Sequence, residues 1–138
     1  WKIMGDSEQV MRTRSVSSAA LTVVASRRHG SDALKTVLQA LDGAFETVSL
    51  TSMGSSLKLC LVAEGEADFY PRLAPTSEWD TAAAHAVVTA AGGQVFNTHF
   101  QPLQYNTKAG LLNPNFLVIG DRTYGFEALL AGSLNQLP

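Results

Sequence analysis

Three short segments of this 138-residue chain carry residue types suited to chemistry on a phosphate. The first is Ser77-Glu78-Trp79-Asp80, which follows a Pro75-Thr76 turn and opens an alanine-rich run closed by Gly92-Gly93. Aspartate is a poor helix-interior residue and a good first-turn one, so the Asp80 carboxylate is expected at an element end. There it can give magnesium a hard oxygen ligand, or simply complement the helix dipole. The second is Ser52 to Lys58, where Gly54 and two serines precede an apolar helix and Ser55 and Lys58 stand three apart, a spacing that puts hydroxyl and ammonium on one helix face. The third is Ser26-Arg27-Arg28-His29-Gly30, two guanidinium groups and an imidazole just after an apolar run. Forked arginine donors and free amides at a helix start suit an anion; a solvated basic turn reads the same way.

The elements that must position these residues alternate. Residues 20–25 form a short β-rich run, and Ser31-Asp32 then opens a helix with Leu34, Val37, Leu38 and Leu41 on one face and Gly43 as its stop. Residues 45–50 alternate as a strand. A helix is expected over 55–64, a strand over 67–72, the Asp80 helix over 78–91, a strand over 94–96, an edge strand over 102–105, a buried strand over 116–119 and a short helix over 124–130. Residues 1–18 read as a connecting strand and loop. The pattern predicts one α/β unit spanning residues 1–138, a layered α-β-α arrangement with a mixed, mostly parallel sheet. Ligands of such sheets bind where strands give way to helices, and the segments at 26–30 and 52–58 stand at such turns, as Asp80 does after the strand over 67–72.

Composition closes off other chemistries. The formal net charge is −2, which supplies no basic field for a nucleic acid. No apolar run approaches the roughly 18 residues that span a bilayer, and a single cysteine, Cys60, cannot form an internal disulfide, which suits a reducing cytoplasm. His85, five residues past Asp80, does not share its helix face, and no His-Glu-x-x-His, paired cysteines, P-loop or dinucleotide fingerprint is present. Ser55-x-x-Lys58 also spells the nucleophile motif of penicillin-recognising enzymes, but the Ser-Asp-Asn and Lys-Thr-Gly partners are lacking. Cys60 reads as core. Charged residues make up 16% of the chain against roughly 25% in a typical soluble domain, in keeping with a piece that meets a second lobe.

Trp79-Asp80-Thr81-Ala82-Ala83-Ala84 resembles the C-terminal metal-binding signature of the magnesium-dependent, lithium-sensitive phosphatases that include inositol monophosphatase. Residues 25–29 and 53–65, Tyr70-Pro71-Arg72, and Pro102-Leu103-Gln104-Tyr105 with Leu112-Asn113-Pro114 are similar to the CysQ-type 3'(2'),5'-bisphosphate nucleotidases of that family, in the family's order. One departure is Ala84, where the family usually has glycine.

The resemblance implies the C-terminal half of the inositol monophosphatase-like sandwich. It also implies a magnesium-dependent phosphatase that hydrolyses the 3'-phosphate of 3'-phosphoadenosine 5'-phosphate to AMP and phosphate in sulfur metabolism. Asp80 would be a metal ligand, and His29, Ser55, Lys58 and Arg72 would hold the nucleotide. The family's Asp-Pro-x-Asp-Gly-Thr loop does not occur here, so the N-terminal metal-binding lobe is expected to be a missing partner and the chain by itself a poor catalyst. The expected location is cytoplasmic, with at most peripheral association with the inner face of the cell membrane. Two other readings stay open: an inositol or fructose phosphatase of the same family, and a non-catalytic binding or assembly module.

Overall fold

The computed structural model describes residues 1–25 and 31–135. Its centre is a five-stranded sheet in the order β4-β3-β5-β7-β6, built from β3 (Ala20–Val24), β4 (Thr47–Thr51), β5 (Phe69–Arg72), β6 (Gln94–Asn97) and β7 (Phe116–Ile119). β3 runs parallel to β4 and β5, whereas β7 is antiparallel to both β5 and β6. The sheet is mixed, as expected, but its pairings divide evenly. Strand-helix-strand alternation alone implies a larger parallel share, and β7 reverses direction because a long excursion rather than a crossover helix separates it from β6.

Side chains that alternate along the strands feed two cores, one on each face. Val24, Tyr70, Phe116 and Val118 pack against α2 (Leu57–Ala63) and α3 (Glu78–Ala90). Val23, Phe69, Leu117 and Ile119 turn to the other face, against α1 (Asp32–Asp42) and α4 (Phe126–Leu134). Strands covered on both sides need apolar residues at every position, which explains the unbroken Phe-Leu-Val-Ile run of β7. The result is the expected α-β-α sandwich. α1 begins as its sequence foretells, with the Ser31 hydroxyl accepting from the Leu34 amide at 3.2 Å.

Three local expectations are corrected. Residues 1–18 begin with an antiparallel hairpin, β1 (Lys2–Met4) and β2 (Ser7–Gln9), turned at Gly5 with φ +59°. The edge strand expected over 102–105 reduces to one bridge between Phe96 and Pro102, because proline has no amide to continue a ladder. The last helix starts at Phe126 rather than residue 124 and runs to Leu134, since Gly125 takes a left-handed conformation that ends the preceding turn and Leu130 and Leu134 extend the apolar stripe.

The stretch between the hairpin and β3 is pinned by polar contacts. The Arg14 guanidinium grips the buried Asp68 carboxylate with two bonds of 2.6 and 2.7 Å, and Asp68 also accepts the Thr22 amide. After α3 the chain passes through Gly92 and Gly93. A Cβ at Gly93 would lie 2.8 Å from the Ile119 carbonyl oxygen and 2.9 Å from a Val88 methyl. Gly93→Ala is therefore expected to lower stability by about 1–3 kcal/mol. Urea unfolding of the chain checks this; an unchanged midpoint would show that the backbone gives way. No helix among the described residues is long and apolar enough to cross a membrane.

Candidate active site

Four of the five residues singled out for the site line one cavity of about 200 Å³: Ser55, Lys58, Arg72 and Asp80, with Tyr70, Thr76, Thr81 and Phe116 among the other walls. The fifth, His29, lies outside the described residues, as do Arg27 and Arg28. The cavity opens where the start of α2, the end of β5 and the first turn of α3 converge. These three positions are far apart in the chain, and the sheet brings them together.

Ser55 reaches the cavity by a route the sequence did not suggest. Its φ is +53°, so it precedes the helix, and α2 starts at Leu57, not at residue 55. The expected shared helix face is therefore absent. Ser55 and Lys58 are joined instead by a long contact, 3.4 Å from the Lys58 ammonium to the Ser55 carbonyl oxygen. Such a left-handed conformation is strained for a residue other than glycine, and strain of this kind gathers at functional sites. Lys58 is largely buried, with 9% of its surface exposed. Burial lowers its pKa below the ordinary lysine value, and the nearby Arg72 charge lowers it further.

Arg72 caps the end of β5. Its Nε donates to the Ala74 carbonyl at 3.2 Å and one terminal nitrogen to the Pro75 carbonyl at 3.1 Å, so the guanidinium lies over the turn leading into α3. Tyr70 lies behind it. Burial pushes the phenol's pKa up, with Arg72 drawing it partly back, which keeps a neutral hydroxyl at neutral pH.

Asp80 serves the helix start and faces the cavity at once. Its Oδ2 accepts the Ser77 amide at 2.9 Å, one arm of a capping box. The capping and ligand readings are thus compatible, since Oδ1 has no hydrogen bond among the described residues. Its neighbour Glu78 points elsewhere, into an ion pair with Lys108 at 3.0 Å and a bond from the Asn106 amide that together hold its carboxyl below the usual range. His85 also turns away, its Nδ1 meeting the Tyr105 hydroxyl at 2.9 Å. Cys60 is half-buried, and burial raises its thiol pKa, which makes it a poor nucleophile.

An exposed carboxylate on the rim of a cationic cavity fits a share of a magnesium site. It is only a share: no three carboxylate, histidine or cysteine groups gather to hold a metal among the described residues.

Tyr70, Thr76, Thr81 and Phe116 carry no sequence signal that marks them as walls of this cavity. Asn113 stands out in the sequence only within Leu112-Asn113-Pro114, yet its side chain ties the turn beneath Asp80 together. Bonds between segments more than thirty residues apart leave no periodic trace.

Residues 4–136 match the model of the Inositol monophosphatase family. The chain belongs to that family. Over 96 residues it is 53% identical to the 3'(2'),5'-bisphosphate nucleotidase CysQ of Escherichia coli (strain K12), a match covering 70% of this chain and 37% of that protein. The CysQ of Haemophilus influenzae is 45% identical over 75 residues, 54% of this chain and 28% of the other. A crystal structure of CysQ from Bacteroides thetaiotaomicron superposes with a TM-score of 0.71 at 47% identity, covering 79% of this chain and 40% of that one. Within the inositol monophosphatase family the chain is thus a CysQ-type member. It spans less than half the length of these relatives.

If Lys58 holds a phosphate, as the sequence expectation has it, its titration would make that binding pH-dependent. Its charge is present below its pKa and lost as pH rises through it, and that pKa is depressed. Phosphate affinity is expected to start falling at a pH below the roughly 10.4 of a free lysine, and Lys58→Arg to flatten the fall. The dissociation constant of the nucleotide measured against pH in the whole enzyme checks this. A profile identical in both proteins would separate Lys58 from binding.

Proposed function

We propose that this chain forms the nucleotide-holding lobe of a magnesium-dependent 3'(2'),5'-bisphosphate nucleotidase. The reaction is hydrolysis of the 3'-phosphate of 3'-phosphoadenosine 5'-phosphate to AMP and phosphate, a recycling step of sulfur metabolism. The observation that carries this reading is the convergence of Ser55, Lys58, Arg72 and Asp80 on one cavity. The CysQ relatives support the same substrate class.

At about 200 Å³ the cavity is smaller than the roughly 300–1,000 Å³ that encloses a whole small ligand. It suits a phosphate-bearing end of the nucleotide, the remainder lying beyond it. Lys58 and Arg72 offset phosphate charge, the guanidinium doing so with directed N–H groups and the ammonium as a point charge. The Ser55 hydroxyl donates to a phosphate oxygen. Asp80 Oδ1 would ligate magnesium while Oδ2 stays with the Ser77 amide. Magnesium, when bound, would lower the pKa of the attacking water and offset charge on the leaving oxygen. The remaining ligands and the group that activates the water would come from the lobe that the relatives carry and this chain does not match. His29 would add a contact to the nucleotide.

The test is phosphate release by the whole enzyme from 3'-phosphoadenosine 5'-phosphate and from inositol 1-phosphate, with the 138-residue chain assayed beside it. The reading expects the nucleotide to be the better substrate, AMP as its product, abolition by a chelator and no release by the isolated chain. Preference for the inositol ester would assign the site to a sugar phosphatase. No release from either by the whole enzyme would favour a non-catalytic module.

A further inference from the structure

We propose that Asn113 is a positioning residue for the Asp80 carboxylate, acting through the turn that opens α3; the inference rests on the reading of Asp80 as a metal ligand. Asn113 is 8% exposed, and the two hydrogens of its amide nitrogen are shared among three acceptors of that turn: Thr76 Oγ1 at 3.1 Å, the Ser77 carbonyl at 3.0 Å and Thr81 Oγ1 at 2.9 Å. Its backbone N–H adds a fourth bond, to the Thr76 carbonyl at 2.8 Å.

A carbonyl oxygen can only accept, so the Ser77 carbonyl fixes which way the amide faces. Nδ2 must point to the turn and Oδ1 away from it. Oδ1 is then buried with no hydrogen-bond partner among the described residues. An unmet buried acceptor costs stability, and the bonds made by Nδ2 are what offset it here.

Ser77 is the link between Asn113 and the carboxylate. Its carbonyl is held by Asn113 and its amide holds Asp80 Oδ2. The neighbouring residues of the same strap grip the turn as well: the Leu111 carbonyl accepts the Glu78 amide at 2.8 Å, and Leu112 bridges to Ser77. Contacts therefore flank Asp80 at residues 76, 77, 78 and 81. Magnesium demands near-ideal octahedral geometry, so a ligand carboxylate free to swing is a poor one. Thr81 braces the same point, its hydroxyl taking the Asn113 bond while lying 3.3 Å from the Glu78 carbonyl.

The experiment titrates Mn2+, as a spectroscopic substitute for magnesium, into the whole enzyme and reads free Mn2+ by electron paramagnetic resonance. Asn113→Ala and the near-isosteric Thr81→Val are compared with Asp80→Asn and with Val37→Ala, a core truncation in α1 on the opposite face of the sheet. Asn113→Ala and Thr81→Val are expected to weaken Mn2+ binding about 10-fold or more, in the range of losses seen when the groups that orient a metal ligand are removed. Val37→Ala is expected to lower Tm but keep wild-type Mn2+ affinity. Should Asn113→Ala fail to fold, Thr81→Val decides. Wild-type affinity in the folded Asn113 and Thr81 variants, or an equal loss in Val37→Ala, overturns the inference while an effect of Asp80→Asn leaves the site reading standing. Wild-type affinity in Asp80→Asn overturns both.

Discussion

Asp80→Asn in the whole enzyme is expected to cut turnover by more than about 100-fold, the loss that removal of a mere orienting group can already reach. The substitution keeps the size and shape of the side chain and an oxygen able to accept the Ser77 amide. The capping interaction therefore survives in part, and the thermal midpoint should move little. Only the ligand charge is lost. Magnesium in excess is expected to restore activity partly at most, and steady-state kinetics across a magnesium series measures this. Wild-type turnover would leave Asp80 with its helix-capping role alone.

Lys58→Ala and Arg72→Ala are expected to act differently. On the proposed reading each removes a cation from the phosphate, and hydrogen bonds to charged groups contribute about 1.5–3 kcal/mol, which corresponds to roughly 10- to 150-fold in affinity. The Michaelis constant for the nucleotide should rise by such a factor, with a smaller fall in turnover, as expected of groups proposed to act on the bound substrate as well as on the transition state. The two cations lie close enough for Arg72 to depress the Lys58 pKa. The double variant should then lose at least the sum of the two, because in Arg72→Ala the relief of repulsion on Lys58 offsets part of the loss and in the double variant nothing does. Unchanged Michaelis constants in both single variants would remove them from the binding site.

Much of this architecture is written in local pattern. The β7 run of four apolar residues, the Leu34-Val37-Leu41 face of α1 and the serine that caps it each state their structure within one element. The β1–β2 hairpin does not, because its strands of three residues are almost wholly exposed and lack the alternation that a buried face imposes. The divided sense of the sheet was hidden for a related reason: residues 98–115 make β7 antiparallel, and their conformation is set by bonds such as Glu78–Lys108 and Asn113–Thr81 that join distant segments.

The site shows the same division. Asp80 and Lys58 stood out by residue type at element starts, and the structure brings them to one cavity. The geometry of Ser55 is not legible in its spacing from Lys58, because a positive φ at Ser55 breaks the helix that the spacing implies. Asn113 could not be valued at all without the turn that it holds.

The claim that the Ser55–Asp80 cavity is the nucleotide site has a direct rival in the molecule. A larger cavity of about 520 Å³ opens near Thr13, Arg14, Asp121 and Arg122, and it also offers arginines. There, however, the Arg14 guanidinium is already committed to Asp68 by two bonds, and Asp121 adds negative charge. Backbone amide chemical shifts of the whole enzyme, followed as 3'-phosphoadenosine 5'-phosphate is added with a non-catalytic calcium ion, separate the two. The account predicts that the shifts concentrate at residues 55–58, 70–72 and 76–81, with the amides near Arg14 and Asp121 unmoved. Shifts gathered around Arg14 and Asp121, with residues 55–58 and 76–81 silent, would contradict it.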